Sequence, residues 1–139
     1  MNNIPKYLGN TELLKMRKIG FLASRKISTL SILPTLDWAL KISKQKDIAI
    51  VSGFHSKMER DVLKILLQGE CGIIVVLARG MYRKLPKHYE VAMSQNRLLI
   101  ISYEKESVTR VSEVTAHKRN DYVSEIADKM QTSICYDRN

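Results

Sequence analysis

Four short and almost wholly apolar segments limit the folds open to this chain more than any other feature of its sequence. Segments of this length that are rich in Ile and Val are typical of strands covered by protein on both faces. A sheet built from such strands needs helices above and below it. The four segments are residues 18–24 (KIGFLAS), 47–52 (DIAIVS), 72–77 (GIIVVL) and 97–102 (RLLIIS).

Helical spacing appears between these predicted strands. Leu33, Leu36 and Leu40, with Trp38 and Ile42 nearby, have the spacing of the apolar side of a first helix. Ser56 and Glu59 have the S-x-x-E spacing of a capping box, which predicts that a second helix begins there. The order of elements is therefore strand, helix, strand, helix.

The sequence indicates helices and strands less clearly in the second half of the chain. A third helix is expected after Pro86, and a fourth is expected to carry the apolar side chains of residues 122–130 on one side. The polar residues 104–118 are expected to form a long loop. Residues 134–136 are expected to add a short edge strand.

This alternation predicts a Rossmann-like α/β fold. Buried strands that alternate with helices form a three-layer sandwich, with a mostly parallel sheet and helices on both faces. We expect one domain in the 139 residues, with a lead-in at 1–17, a core at 18–130 and an edge strand or tail at 131–139.

The chain is strongly basic. Its 23 Lys and Arg residues exceed its 14 Asp and Glu residues and give a net charge of +9, which favours an anionic partner such as nucleic acid, although small proteins are also basic for solubility. The sequence shows no secretory signal and no run of roughly 18 apolar residues, so we expect a cytoplasmic protein without a membrane partner. Cys71 and Cys135 are expected to stay reduced and receive no role.

Basic residues follow the first three predicted strands. In an open parallel sheet, ligands bind beyond the carboxyl ends of the strands, where helix N-termini offer N–H groups to anions. Glycines are also ordinary at strand-to-helix turns and surface loops often carry cations, but the coincidence at three strand ends favours a phosphate site. The residues predicted to form it are Ser24, Arg25 and Lys26, then Ser52, Gly53 and Lys57, then Arg79, Gly80, Arg83 and Lys84.

Patterns that identify common enzymes are missing from the sequence. It contains no G-x-x-x-x-G-K-[ST], G-x-G-x-x-G, H-E-x-x-H or G-x-S-x-G motif. His55, His88 and His117 show no metal-ligand spacing, and each is expected to be a surface or loop histidine. We therefore predict no catalytic residue, no metal site and no cofactor, and we expect a protein that is not an enzyme.

Several segments match the motifs of a known family in the same order. Residues 19–28 (IGFLASRKIS) are similar to V-G-[ST]-R-x-x-S, residues 50–59 (IVSGFHSKME) to I-V-S-G-L-A-x-G-I-D, and residues 74–81 (IVVLARGM) to a strand followed by G-x-G-[LI]-D. The tripeptide Lys118, Arg119, Asn120 resembles an R-N-R motif that opens the last conserved helix. Together these segments resemble the DprA/Smf family of bacterial DNA-processing proteins, which is related to the LOG-type nucleotide hydrolases.

The resemblance implies a function and adds three site residues. It implies binding of single-stranded DNA and a role in natural transformation, with a RecA-type recombinase as a further partner, and it leaves a homodimer open. It also implies that Lys118, Arg119 and Asn120 join the phosphate site. Departures such as Ala23 and Glu59, in place of a glycine and an aspartate, imply an altered phosphate pocket.

Two other functions stay open at this point. A small nucleotide could bind in the same crevice, which would make the protein a sensor, or the chain could be a degenerate LOG-type hydrolase, although the P-G-G-x-G-T motif of that branch is absent. A DNA polymer needs cations outside the crevice, whereas a nucleotide needs only the pocket. The outlying candidates are Lys15, Arg17, Arg110 and Lys118. The chain is either a minimal member of the family or a fragment.

Overall fold

The computed structural model describes residues 4–134 and shows a six-stranded sheet with helices on both faces. The strands are β1 (Lys6–Gly9), β2 (Arg17–Leu22), β3 (Ile48–Ser52), β4 (Gly72–Leu77), β5 (Leu98–Ser102) and β6 (Lys129–Thr132). The helices are α1 (Ile32–Ser43), α2 (Lys57–Leu67), α3 (Glu90–Ser94) and α4 (Glu113–Ile126), with 3₁₀ turns at Thr11–Lys15, Thr29–Ser31 and Lys87–Tyr89. Within this part of the chain, no helix combines the length and the apolar character needed to cross a membrane.

The strand order is β1-β5-β4-β3-β2-β6, and every pairing is parallel except that of β1 with β5. The chain moves stepwise from β2 to β5, and α4 then returns it to the far side of β2, where β6 pairs. The order of strands thus reverses beside β2, which in open α/β sheets is where a ligand crevice forms. The predicted Rossmann-like fold with a mostly parallel sheet is confirmed.

Alternate residues of the central strands pack into two separate cores. In β3, Ile48 and Ile50 face the layer of α1, α2 and α3, whereas Ala49 and Val51 face the layer that contains α4. All residues of β3, β4 and β5 are buried. The continuous apolar segments of the sequence are therefore strands covered on both faces, as predicted.

The two edge strands differ from the sequence predictions. The lead-in contains β1, and an edge strand β6 lies at Lys129–Thr132, which overlaps the start of the segment 131–139 expected to form an edge strand or tail. Cys135 and Tyr136 lie outside the described residues. Edge strands are held by backbone hydrogen bonds along one side only, so neither needs the apolar run by which the central strands are recognised.

The fourth helix begins inside the predicted loop. Ser112 caps α4, because its side chain accepts a hydrogen bond from the Thr115 backbone and Thr115 Oγ1 accepts one from the Ser112 backbone. This capping box uses Thr where the usual pattern has Glu or Gln, which explains why the sequence did not reveal it. The helix ends at Ile126, and Met130 belongs to β6 instead.

The first helix presents to the core only some of the apolar side chains predicted to face it. Leu33 and Leu40 are 71% and 49% exposed, whereas Thr35 and Ala39 are fully buried. Leu36, Trp38 and Ile42 also pack against this core, so of the predicted residues only Leu33 and Leu40 stay outside it. The second helix begins at the Ser56 capping box, and the third region follows Pro86, both as predicted.

Candidate functional site

A cavity of about 920 Å³ opens at the carboxyl ends of β2 and β3. Its walls come from three parts of the chain, which are the loop after β2, the turn that leads into α2, and residues 111–120 around the first half of α4. Because α4 returns across the sheet to reach β6, it brings its middle residues over these strand ends. The topology alone therefore brings distant parts of the sequence together at this point.

Arg119 forms the floor of the cavity. It is only 5% exposed, and its Nε donates a hydrogen bond to Asn120 Oδ1 at 2.7 Å. Within residues 4–134, no acceptor takes a hydrogen bond from its two terminal nitrogens. Every fully buried side-chain nitrogen or oxygen in this part of the chain has a partner, so the terminal nitrogens must reach the open space of the cavity. Two terminal guanidinium nitrogens that face a cavity can donate to two oxygens of a phosphate or carboxylate.

Gly53 allows Arg119 to occupy this position. A Cβ atom on Gly53 would overlap the guanidinium group, so any other residue would displace it. The next residue, Phe54, is buried with a φ of +49°, a left-handed conformation that few large side chains adopt. Ser52 is fully buried, and its Oγ accepts a hydrogen bond from the Phe54 backbone at 3.0 Å. Ser52 therefore shapes the turn rather than facing a ligand.

A buried carboxylate already occupies the start of α2. Glu59 is 5% exposed and accepts hydrogen bonds from the backbone N–H groups of Ala23 at 3.0 Å, His55 at 2.8 Å and Ser56 at 3.2 Å. These contacts join the loop after β2 to the N-terminus of α2. Backbone N–H groups at this N-terminus were predicted to bind phosphate. Two of them, those of His55 and Ser56, instead donate to the Glu59 carboxylate.

The groups around the cavity shift one another's proton affinities. Burial lowers the pKa of Arg119, and the negative charge of Glu59 opposes this effect. Burial also lowers the pKa of His55, and the charges of Arg119, Arg60 and Arg25 lower it further, while Glu59 raises it. The space beside His55 is thus dominated by positive charge.

The rim of the cavity carries the remaining polar groups. Ser24 Oγ donates a hydrogen bond to the Lys26 carbonyl at 2.8 Å, which fixes the loop from which Arg25 reaches the cavity. Lys118 also lines the cavity, and its Nζ lies 3.5 Å from a carboxylate oxygen of Glu104. Arg25 is exposed, whereas Lys118 is already ion-paired.

The loop after β4 (residues 79–84, here called the Arg79 loop) lies outside the lining of the cavity. The Arg79 guanidinium stacks 5.1 Å from the ring centre of Tyr82, and its Nε donates to the Gly80 carbonyl at 3.1 Å. Arg83 Nε lies 3.7 Å from a carboxylate oxygen of Glu106. A Cβ atom on Gly80 would overlap the backbone at residues 105–106, so this glycine serves packing.

The structure therefore divides the predicted site. Five of the predicted residues line the cavity, and Gly53 lies beneath Arg119; the five are Ser24, Arg25, Lys118, Arg119 and Asn120. Lys57 is ion-paired with Asp61 at 3.1 Å and does not line it. Residues 118–120 lie in the middle of α4, so the expectation that they open the last helix is wrong.

Ten of the fifteen described residues that line the cavity received no binding role from the sequence, and Glu59 and His55 are among them. Glu59 was recognised as a helix cap and as a departure from the family motif, but its contact with Ala23 spans 36 positions, so no local pattern could reveal that contact. His55 was expected only to be a surface or loop histidine. No group of three or more His, Cys, Asp or Glu side chains that could hold a metal ion occurs among residues 4–134.

Comparisons with known proteins agree with this architecture. A family model described as DNA recombination-mediator protein A matches residues 4–132. The X-ray structure of DNA processing protein A (DprA) from Streptococcus pneumoniae matches 97% of this chain and 47% of its own, with a TM-score of 0.73 and 19% identity. DNA processing protein A from Helicobacter pylori, described as having a unique single-stranded DNA binding mode, matches 92% of this chain and 59% of its own, with a TM-score of 0.71 and 20% identity.

The two solved structures establish the likeness of fold. This chain spans about half the length of each of them. A search of curated protein sequences finds no match.

Proposed function

Since this chain belongs to the family of DNA recombination-mediator protein A, we propose that it binds single-stranded DNA at the cavity beside β2 and β3. The observation that carries this proposal is Arg119, a buried guanidinium whose terminal nitrogens face the cavity without an acceptor among residues 4–134. Burial removes part of the hydration of this guanidinium, and a phosphate group offers a bidentate partner that compensates for the loss. The described binding of single-stranded DNA by the H. pylori relative supports the same ligand.

The cavity would hold one phosphate deeply and its neighbours more loosely. Arg119 lies at the floor, whereas Arg25 and Lys118 lie at the rim, where they would contact the phosphates on either side. Contacts to phosphate carry no sequence information, so binding would be largely independent of base sequence. Each contact also displaces counterions, so the affinity would fall steeply as salt rises.

The other predicted cations would make a smaller contribution. Arg79, Arg83 and Lys57 are engaged with Tyr82, Glu106 and Asp61 respectively. Lys26 and Lys84 are exposed and follow the strand ends, where a polymer could reach them. We assign these five residues to an outer path for the DNA backbone.

A small nucleotide is the second candidate ligand. The cavity volume of about 920 Å³ falls in the range of small-molecule sites, and the partly exposed Val111 and Val114 side chains on its wall would accept a base. The two ligands differ in footprint, because only a polymer would lose affinity when Lys15, Arg17 and Arg110 are replaced. Hydrolysis is not proposed, since the family is described as a recombination mediator. A RecA-type partner, a homodimer and a cytoplasmic location stay predictions.

The test is a titration of wild-type protein and Arg119→Gln with oligothymidylate of about 20 nucleotides and with thymidine monophosphate, followed by fluorescence anisotropy and calorimetry. Glutamine keeps much of the side-chain volume but removes the charged fork. We expect the affinity for the oligonucleotide to fall about 10- to 100-fold, because hydrogen bonds to charged groups contribute about 1.5–3 kcal/mol.

Arg83→Gln is the matched control, since it removes an equal charge from an exposed pair. It should change the affinity for the oligonucleotide less than about threefold. Equal affinities for wild type and Arg119→Gln would contradict the proposal. Tight binding of the mononucleotide with none of the oligonucleotide would favour the second candidate.

A further inference from the structure

His55 stands at the edge of the cavity in a fixed backbone position. Its backbone N–H donates to Glu59 Oε1 at 2.8 Å, and the same carboxylate holds Ser56 and the loop after β2. The residue precedes the cap of α2 and lines the cavity across from the first half of α4. Glu59 contacts the His55 backbone, so the imidazole remains available to the cavity.

Charged groups face His55 from every element that forms the cavity. Arg25 comes from the loop after β2, Arg60 and Glu59 come from α2, and Arg119 comes from α4. The other titratable or charged groups on the α4 wall are Glu113, His117 and Lys118. The three arginines oppose a proton on His55, and Glu59 favours one. An anion placed among these cations would therefore change the charge that His55 carries.

We propose that His55 is a further ligand-binding residue of this cavity, which contacts DNA phosphate as the imidazolium ion and takes up a proton from solvent when DNA binds. The inference rests on the proposed function and deepens it, because it makes the affinity for single-stranded DNA depend on pH. A neutral imidazole offers phosphate at most one donor and no charge, whereas the imidazolium offers two donors and a positive charge.

The direction of the pH dependence follows from linkage. His55 is an exposed residue, but partial desolvation and then the arginine charges lower its pKa below 6.5 in the free protein, so the neutral imidazole predominates at pH 7. A bound phosphate would raise this pKa. The affinity should therefore rise as pH falls through the pKa of the complex, by at most about tenfold per pH unit for one proton, and level off below the pKa of the free protein.

The experiment measures the affinity of the full chain for oligothymidylate of about 20 nucleotides between about pH 5.5 and pH 8, at about 0.15 M salt. Wild type should bind about three- to tenfold more tightly at the acid end. His55→Gln, which cannot take a proton, should lose this increase. His55→Lys, which is permanently charged, should bind tightly across the whole range.

His88→Gln and His117→Gln are the matched controls. His88 is exposed and packs against Tyr89 outside the cavity, whereas His117 lies on the cavity wall. Both variants should keep the wild-type pH dependence. Calorimetry in two buffers of different ionisation enthalpy should show proton uptake by wild type and none by His55→Gln.

Three results would overturn the inference. His55→Gln could keep the wild-type pH dependence, or His117→Gln could abolish it, and in either case the proposed binding of DNA at the cavity would still stand. The third result is an absence of binding by wild type at both ends of the pH range, which would overturn the proposed function together with the inference. Thermal unfolding of each variant would confirm that the exposed substitutions leave the fold intact.

Discussion

The cavity and the Arg79 loop are both basic and both follow parallel strands, yet their cations are in different states. Arg119 is 5% exposed and its terminal nitrogens have no acceptor among residues 4–134. In the Arg79 loop, the side chain of Arg83 is 85% exposed and paired with Glu106, and Arg79 is stacked on Tyr82. The two regions have similar basic sequences, but the burial and the partners of their arginines differ in the structure.

The number of cations does not distinguish these two regions, whereas the hydrogen-bond partners of the cations do. An exposed ion pair adds little to stability and gives up little when it is exchanged for a ligand contact. A cation such as Arg119 has lost part of its hydration in the free protein, and a bound anion would compensate for that loss. The following predictions test whether the contrast between the two regions holds.

The largest expected effect is a loss of stability when the acidic residue beside the cavity is replaced, compared with the acidic residue beside the Arg79 loop. Glu59→Ala removes the acceptor of three backbone N–H groups and leaves Arg119 without its nearby negative charge. We expect the free energy of unfolding to fall by about 2–4 kcal/mol, measured by urea denaturation. Glu106→Ala removes only an exposed partner and should change it by less than about 0.5 kcal/mol. Equal losses of unfolding free energy in the two variants would contradict the difference between the two regions.

The two glycines give the next largest effect. Gly53→Ala places a Cβ atom in the space of the Arg119 guanidinium, so we expect the affinity for oligothymidylate to fall about tenfold in an anisotropy titration. Gly80→Ala instead displaces the backbone at residues 105–106, next to the Arg79 loop. It should change affinity less than about threefold. A stronger loss in Gly80→Ala would place the DNA on the Arg79 loop.

Removing the cations of the Arg79 loop should have a smaller effect. Arg79→Gln combined with Arg83→Gln should weaken oligonucleotide binding by no more than about threefold, because both side chains already have partners. The slope of log affinity against log salt should fall by less than about 0.7, the value for one full phosphate contact on a single strand. A fall of twice that size would show two full contacts and would remove the distinction between the regions.

The smallest expected effect is a gain in DNA affinity when a negative charge is removed beside the Arg79 loop. Glu106→Ala releases Arg83 from its ion pair and removes a negative charge close to the proposed outer path of the DNA. We expect the affinity for oligothymidylate to rise by about twofold, measured at low salt where exposed charges are least screened. A decrease in affinity would mean that Glu106 orders this loop for binding.

The central fold could be predicted from the sequence because its strands are buried on both faces. Segments such as GIIVVL need no knowledge of their neighbours to be recognised as strands. The strands β1 (KYLG) and β6 (KMQT) could not be recognised in this way, since each depends on pairing with a partner that is distant in the sequence. The buried face of α1 was predicted only in part, because Leu36 and Ile42 pack against the core whereas Leu33 and Leu40 are exposed.

The candidate site was predictable only in part, for a related reason. The position of Arg25 follows from the end of β2, which the sequence showed. Arg119 was included through a family resemblance, but its burial against Gly53 depends on α4 crossing back over β3. The three bonds of Glu59 likewise join segments that only the folded chain brings together. A local sequence pattern shows which residues are charged. Which partners those charged groups contact depends on the tertiary structure.

The burial of Arg119 also determines how this domain would respond to directed evolution for heat resistance. In the absence of DNA, an apolar residue of similar size such as methionine would remove the desolvation cost of the guanidinium and fill the same space. A library screened only for residual folded protein after heating would therefore enrich Arg119→Met early, at the expense of the ligand site. Heat resistance and DNA retention would have to be selected in the same step.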